Sequence, residues 1–321
     1  MIKNEKLYRF LLQAFPIEWK EFLGKLRRYN LKADASSTVP HCIIARVDGT
    51  TFHGGLCDRW KGIVSLYAFC KVNQRKFCID YTFPFDLQLL TIPNQYDWLI
   101  PPTAICHNLF NVHMMRLAGD STLKRMQKLP TEKQIHCYAN RDWLPIINQT
   151  YHSQFKWGEL FHELFKPSPY LEQRIAEKRA SLPSAYIAIA FRMQNLLGDY
   201  PEYQYAPASL NRQKEIVEAC KTFVVSLRER SNKNILITSD SERLTKEFEN
   251  MKGIYINTGS AAHVDTQSNA PLEQYSKSFV DFYLLSDAEK IYSVGTKEMY
   301  DSDFPRYAAK LNERPFERIV L

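Results

Sequence analysis

The sequence lacks several features that would assign it to a class at once. No stretch approaches the about 20 apolar residues of a transmembrane helix, and charges interrupt the N-terminus where a secretory signal needs an apolar core. The seven cysteines are odd in number and form no C-x-x-C pair, which argues against a disulfide framework and a zinc knuckle. Neither a G-x-G-x-x-G nor a Walker A loop is present, which argues against dehydrogenases and P-loop kinases. We therefore expect a cytoplasmic protein.

The positive charge is concentrated at one end of the chain. The formal net charge is +7, and the first 32 residues alone carry eight basic and three acidic side chains. The nearly neutral remainder argues against a nucleic-acid-binding surface. Apolar positions over 7–29 follow helical spacing and predict two short amphipathic helices in an N-terminal arm, residues 1–40. Residues 1–32 either pack on the body of the protein or act as a basic anchor at a membrane surface, which would make the protein membrane-peripheral.

From residue 42 onward, short apolar runs alternate with amphipathic stretches of helical length. This alternation predicts α/β domains whose parallel sheets are covered on both faces. We expect one domain over 41–180 and a second, Rossmann-like domain of about four strands over 181–321. The segment from 81 to 130 contains several prolines, and we expect its first part to be irregular. The predicted strands are 42–47, 76–80 and 134–138, then 185–191, 234–238, 254–257 and 290–294; the predicted helices are 57–72, 153–165 and 171–182, then 209–230, 241–251, 273–286 and 298–312.

Polar residues follow each strand of the second domain, where ligands bind in open parallel sheets. Arg192 follows the first of these strands, and later strands are followed by Ser239–Asp240, Thr258–Gly259 and Gly295–Thr296–Lys297. An arginine, hydroxyls, a lysine and helix N-termini at one edge predict a pyrophosphate site. Asp240 and Asp281 can accept hydrogen bonds from a base or ribose. The alternative is that these polar residues only cap the following helices.

The first domain has a loop over 48–59, between its first strand and helix. Gly54 and Gly55 allow the backbone to approach a ligand closely, and the following helix N-terminus favours negative charge. From the residues alone, a ligand loop and a tight turn are equally good interpretations.

This loop and its helix resemble the opening motif of the fucosyltransferase superfamily. The match reads G-G-L-C-D-R-W-K-G-I-V-S-L-Y-A-F-C at 54–70, F-C-I-D-Y at 77–81 and P-N-Q-Y-D-W at 93–98. The superfamily's late motif resembles D-F-Y-L-L-S-D-A-E-K-I-Y-S-V-G-T at 281–296. Between them, in the family's order, lie I-A-I-A-F-R at 187–192 and I-L-I-T-S-D at 235–240. The closest likeness is to bacterial nodulation-type α1,6-fucosyltransferases, relatives of the core α1,6- and protein O-fucosyltransferases.

The resemblance implies a GT-B fold, in which two Rossmann-like domains face each other across a cleft. It also implies metal-independent, inverting transfer from a nucleotide sugar, usually GDP-fucose, to a glycan hydroxyl, with no cofactor. By correspondence of motifs, Arg192 would contact the donor pyrophosphate, Asp281 would read the nucleotide base, and Thr296 would lie near the β-phosphate. Together with the residues selected above, the expected donor site comprises Gly54, Gly55, Arg192, Asp240, Asp281, Thr296 and Lys297.

The sequence departs from the family at three places. The histidine expected two residues before Arg192 is Ala190, the family's R-x-G-D is stretched to 192–199, and the serine-rich tail is replaced at 297–300. A different donor, or a catalytically silent relative that binds a nucleotide or glycan, therefore stays open as an alternative.

The general base and the acceptor site are not fixed by sequence. His53, with an ordinary pKa of about 6.5, is one candidate base, and Asp58 is the second, with helix capping as its alternative role. His263 and Asp265 either close over the donor or lie in a solvated loop. The tripeptide Asp301-Ser302-Asp303 matches a metal-binding D-x-D, but we expect it to cap a helix and we expect no metal site. Aromatic residues between 81 and 98 either stack on acceptor sugars or form core.

Overall fold

The computed structural model of the chain describes residues 28–30, 41–117, 122–200, 206–265 and 269–321. The predicted N-terminal arm, residues 1–40 with its amphipathic helices, lies outside these residues except for 28–30. Within the described ranges, no helix is both long and apolar enough to cross a membrane.

The strands alternate with helices along most of the chain. In chain order the strands are β1 (Cys42–Val47), β2 (Lys76–Tyr81), β3 (Thr91–Pro93), β4 (Val112–Leu117), β5 (Gln134–Ala139), β6 (Phe165–Pro167), β7 (Ile187–Phe191), β8 (Ile235–Ser239), β9 (Ile254–Ile256), β10 (Ile291–Gly295) and β11 (Phe316–Val320). The α-helices are α1 (Leu56–Val72), α2 (Thr122–Gln127), α3 (Leu144–Tyr151), α4 (Trp157–Leu164), α5 (Pro169–Ala180), α6 (Leu210–Ser231), α7 (Glu242–Lys246), α8 (Leu272–Asp287) and α9 (Phe304–Leu311).

The predicted α/β class is confirmed, and each strand predicted from sequence is present within a few residues. Three predicted helices are shorter than expected, since α4 begins only at Trp157, α7 ends at Lys246 and α9 begins only at Phe304, and the helices α2 and α3 were not predicted. The sequence pattern did not reveal the short strands β3 and β6, nor β4 and β11. The strand β11 carries charged residues between its apolar ones and lies at a sheet edge, so it lacks the continuous apolar run of a buried strand.

The chain divides into two compact units. Described residues up to Gly54, with 58–83 and 95–155, form the first unit, and 55–57, 84–94 and the described residues from 156 onward form the second. The predicted boundary at 180/181 placed 156–180 in the first domain, whereas here these residues belong to the second unit.

The first unit contains a four-stranded sheet with the order β2-β1-β5-β4, and each neighbouring pair is parallel. All six residues of β1 are buried, as expected for a strand covered on both faces. Trp60, Val64 and Phe69 of α1 contribute large buried side chains to this core. Gly62 allows α1 to approach the end of β5, since a Cβ there would lie 2.3 Å from the Ala139 carbonyl oxygen.

The second unit contains a five-stranded parallel sheet with the order β11-β10-β7-β8-β9. Apolar residues of β7 and β8 pack with one face of α6 in a single core cluster that includes Ile189, Ile237 and Cys220. The helix α8 contacts α5 and α9, and its Phe282 ring lies 6.4 Å from the Trp157 ring of α4. A short antiparallel pair, β3 with β6, also belongs to this unit.

Candidate functional site

The strand order of the second unit creates a switch point at the carboxyl edge of its sheet. From β7 the chain builds β8 and β9 on one side and then β10 and β11 on the other. The loops after β7 and β10 therefore lead away in opposite directions, which opens the crevice where open α/β sheets bind ligands. Arg192 lies in the first of these loops and Thr296 in the second.

Arg192 is held in place by an aspartate from the neighbouring strand. Its Nη1 donates to Asp240 Oδ2 at 2.5 Å, and the same carboxylate accepts hydrogen bonds from the backbone N–H groups of Met193 and Gln194, each at 2.7 Å. The guanidinium also lies 4.9 Å from the centre of the Tyr200 ring. The Arg192 side chain remains 21% exposed, whereas that of Asp240 is 7% exposed. Asp240 thus fixes an accessible cation at the switch point.

His263 extends this group of residues. Its ring lies 6.4 Å from that of Tyr200, and Asp265 N donates to His263 Nδ1 at 3.3 Å. A Cβ on Gly55 would lie 3.9 Å from His263 Nε2. His263 is buried, so the solvated-loop interpretation is wrong for its side chain.

Asp281 lies in a buried charged cluster on α8. Lys277 Nζ donates to Asp281 Oδ2 at 2.7 Å and lies 3.4 Å from the Ser239 carbonyl oxygen, and Asn257 Nδ2 donates to Asp281 Oδ1 at 2.7 Å. Lys277 and Asp281 are each 5% exposed. Both carboxylate oxygens therefore already accept a hydrogen bond from a neighbouring side chain.

The two clusters are neighbours on the sheet edge, because they are joined through consecutive residues at the end of β8. Ser239 meets Lys277, and Asp240 meets Arg192. The structure thus brings Arg192 and Asp240 together, as expected from their positions after parallel strands, and it places Asp281 of α8 beside them.

A pocket of about 260 Å³ opens beside the Asp281 cluster. Lys277 and Asn257 line it, together with residues from the loop after β9 and from α5. Its remaining lining residues are Arg174, Glu177, Lys178, Thr258, Gly259, Ser260, Pro271, Glu273, Gln274 and Val280.

The loop after β10 carries the remaining predicted donor-site residues of this unit. Thr296 is buried, and its Oγ1 accepts from Glu298 N at 3.4 Å. Lys297 is exposed. Glu298 pairs with Arg212 at the start of α6, with 2.9 Å between Nε and Oε2, so the loops after β7 and β10 lie at the same edge.

The aspartates of the D-x-D tripeptide pair with arginines. Asp301 pairs with Arg318, and Asp303 Oδ1 lies 3.2 Å from Arg306 Nη1. Asp303 occupies the N-cap position of α9 but makes no side-chain cap bond, whereas Ser302 Oγ accepts from Phe304 N at 3.2 Å. Among the described residues, no group of three or more His, Cys, Asp or Glu side chains could hold a metal ion. Metal independence stays a prediction.

In the first unit, Gly54 and Asp58 belong to the first residues of the opening motif, 54–70. Gly54 has φ +84°, and a Cβ there would lie 2.5 Å from Asp58 Oδ2, so the close approach requires glycine. Asp58 pairs with Lys61 at 2.7 Å, and its side chain is 37% exposed. The next motif residue, Arg59, is fully buried and donates to Tyr81 and to the Phe83 carbonyl, which makes it a structural residue.

His53 is in an unsuitable environment for a general base. It is 2% exposed, and its Nε2 lies 3.1 Å from Thr51 Oγ1. Burial, with the positive charge of Arg59 as a second cause, lowers the pKa of His53 to about 3. A histidine this weakly basic accepts a proton poorly at neutral pH, so the structure argues against His53 as the base.

The first unit also contains a charged network that was not predicted from the sequence. Asp48 accepts hydrogen bonds from Arg46 and Tyr138, each at 3.0 Å, and Arg46 Nε pairs with Asp80 at 2.8 Å. Burial would raise the pKa of Asp48, but Arg28, Arg46 and hydrogen bonds from Thr50 lower it to about 2. The network lies at the carboxyl edge of β1, β2 and β5.

Comparison with solved structures finds proteins that have a similar fold. Arabidopsis thaliana FUT1, solved as a mutant in complex with GDP, matches with a TM-score of 0.56 and 12% identity over 98% of this chain and 77% of that one. The α1,6-fucosyltransferase NodZ, soaked with GDP-fucose, matches with a TM-score of 0.52 and 12% identity over 84% of this chain and 92% of that one. NodZ from Bradyrhizobium gives the same values.

This chain has a fucosyltransferase-like GT-B fold. The resemblance expected from the motifs is thereby confirmed at the level of the fold. No family model matches the sequence, and no curated protein matches it either.

Two departures from the family pattern can be placed within this fucosyltransferase-like fold. Ala190 lies buried inside β7, paired in register with Thr238 and Ser293. Asp199, at the end of the stretched segment, accepts from Ser241 Oγ at 2.9 Å and from Arg243 N at 2.8 Å. Asp199 therefore caps α7 next to the Asp240 cluster.

In the second unit, sequence reasoning missed Lys277 and Asn257. The spacing of Lys277 and Asp281 by four residues in a predicted helix was a usable signal, because such residues are neighbours on a helix surface. Nothing in the sequence pointed to Asn257, which reaches Asp281 from a different element.

Proposed function

We propose that this protein is a metal-independent, inverting glycosyltransferase that transfers fucose from GDP-fucose to a glycan hydroxyl. The observation that carries the proposal is the partly exposed Arg192, held by Asp240 at the switch point of the second unit. The fold neighbours solved with GDP and GDP-fucose support the nature of the donor.

The reaction breaks the bond between the sugar's anomeric carbon and the β-phosphate oxygen. Positive charge develops on the sugar ring and negative charge on the departing GDP. A guanidinium has five donors, so the bond to Asp240 orients Arg192 without exhausting its capacity to bind phosphate. Arg192 would stabilise the leaving group more strongly in the transition state than in the ground state. Loss of one such donor costs about 10²- to 10³-fold in rate.

The acceptor hydroxyl must lose a proton as it attacks the anomeric carbon. We assign this proton to Asp58, because its carboxylate is partly exposed, whereas His53 is enclosed and weakly basic. The proton would pass from the acceptor oxygen to an Asp58 carboxylate oxygen.

Thermal unfolding with a panel of nucleotide sugars tests the donor without knowledge of the acceptor. At 100 times Kd, a ligand that binds only the folded state stabilises it by about 2.7 kcal/mol, which corresponds to a Tm increase of about 5–10 °C. We expect this increase with GDP and GDP-fucose but not with UDP-sugars. Arg192→Ala should abolish most of it, and Arg230→Ala, a change on the exposed side of α6, should not. An unchanged increase in the Arg192 variant would refute the assigned site.

A catalytically silent relative is the second candidate. Ala190 replaces the family's histidine and His53 is buried, so neither position offers an exposed histidine. This candidate predicts that the purified protein binds GDP in calorimetry yet neither hydrolyses GDP-fucose nor transfers fucose to any glycan offered. Release of GDP that depends on Arg192 would exclude it.

A further inference from the structure

The pocket beside Asp281 is suited to one moiety of the donor. Its volume of about 260 Å³ lies just below the range of about 300–1,000 Å³ typical of small-molecule pockets, so it can take a ring system but not a whole nucleotide sugar. The pocket residue Lys277 contacts Ser239, and the next residue, Asp240, binds Arg192, so the pocket lies beside the Arg192–Asp240 pair. A nucleotide whose phosphates bind Arg192 could therefore place its base here, an inference that rests on the proposed function.

Two cationic side chains of the pocket, Lys277 and Arg174, can donate to a ligand, although Glu177 and Glu273 also line it. Lys277 has three N–H groups and no acceptor; one binds Asp281 and a second reaches the Ser239 carbonyl, so one is left for a ligand. Arg174 also lines the pocket, and its Nε is enclosed and has no hydrogen-bond acceptor among the described residues. A base that fills this pocket should therefore present acceptors to it.

Acceptor chemistry distinguishes the purines. Guanine and hypoxanthine present two adjacent acceptors, O6 and N7, which form the edge that lysine and arginine most often bind. Adenine presents an amino group in place of O6, and that group would meet the ammonium donor to donor. The pocket therefore favours a 6-oxopurine.

Asp281 is not positioned as a free reader of the base. It is buried, and each of its oxygens accepts from Lys277 or Asn257, both of which line the pocket. The carboxylate stabilises the buried ammonium and fixes its position, since an unpaired lysine at this depth would be costly.

We propose that Lys277 determines the base specificity of the donor by donating to O6 of a 6-oxopurine, with Asp281 as the residue that positions it. This assigns the direct contact to a residue four positions before the one expected from the motif. The two arrangements make different predictions for inosine diphosphate, because direct reading by a carboxylate uses the 2-amino group of guanine, which inosine lacks.

Calorimetric titration of the wild-type protein with GDP, IDP and ADP tests this. We expect IDP to bind within about fivefold of GDP, and ADP to bind about 10- to 100-fold more weakly, because one hydrogen bond to a charged group is lost. A large loss with IDP would overturn the proposal in favour of direct reading by Asp281. Equal binding of ADP and GDP would also overturn it. Absence of any nucleotide binding would instead refute the proposed function.

A double variant tests the residue itself. Lys277→Gln with Asp281→Asn removes both charges together, so it leaves no unpaired buried ion. A glutamine can pair with adenine, so GDP and ADP should bind this variant within a few-fold of each other. Lys233→Gln, at an exposed ion pair with Glu289, is the matched control and should keep the wild-type ratio. A folded double variant that keeps that ratio would refute the proposal, and if it does not fold, the wild-type IDP series decides.

Discussion

The burial of His53 predicts a pH-dependent stability that an exposed histidine would not give. The pKa of this histidine is about 3 in the folded protein, against about 6.5 in an unfolded chain. Between these values the unfolded state binds the proton and the folded state does not, so stability is complete above pH 6.5 and falls as the pH drops toward 3. From pH 7.5 to pH 5.0, the contribution of His53 to this loss is about 2 kcal/mol.

Urea unfolding of the wild type and of His53→Gln, each at pH 7.5 and pH 5.0, isolates that contribution. The variant should lose about 2 kcal/mol less than the wild type over this interval, because glutamine does not titrate. Asp48 contributes little, since its pKa of about 2 in the folded protein and about 3.9 in the unfolded chain both lie below the interval. His41→Gln, a change at an exposed histidine of the same unit, is the control. If wild type and His53→Gln lose the same amount, the pKa of His53 is not depressed, and His53 returns as a candidate base.

Three further predictions follow from named contacts. Gly62→Ala should lower the free energy of unfolding by about 1–3 kcal/mol or more in urea titration, because the new methyl would collide with the Ala139 carbonyl; unchanged stability would contradict the close packing of α1. Asp240→Asn should lower kcat, because Arg192 loses its ionic partner and the buried Met193 and Gln194 N–H groups lose a charged acceptor, and a kcat equal to wild type would show that this pair is not needed. Treatment with EDTA should leave transfer unchanged, and activity that disappears and returns with Mn²⁺ would refute metal independence.

The fold was largely predictable because its signals are local. Continuous apolar runs such as Ile187–Phe191 mark strands covered on both faces, and helical spacing of apolar residues, as over Leu210–Ser231, marks helices between them. The strand Val112–Leu117 was not predicted, because His113 and Arg116 interrupt its apolar run. The division of the chain into two units also could not be predicted from local sequence patterns. Residues 84–94 belong to the second unit, although both flanking segments belong to the first.

The site was predictable only as a set of positions. Parallel strands bring their carboxyl ends to one edge, so Arg192 and Asp240 could be placed there from sequence, and the structure brings them together. Sequence could not show which side-chain atoms are already engaged. From sequence, Asp240 and Asp281 have the same chemistry, since each can accept hydrogen bonds from a nucleotide.

Their surroundings give these two aspartates different tasks. Asp240 binds a partly exposed arginine that is accessible to a phosphate, whereas Asp281 binds a buried lysine that lines a pocket. A carboxylate that holds an exposed cation helps to orient it for a charged ligand, and one that holds a buried cation makes it possible for that cation to exist in a low-dielectric environment. In both clusters the group left to meet the donor is the cation, so the recognition of both phosphate and base would depend on Arg192 and Lys277, with the aspartates as their supports.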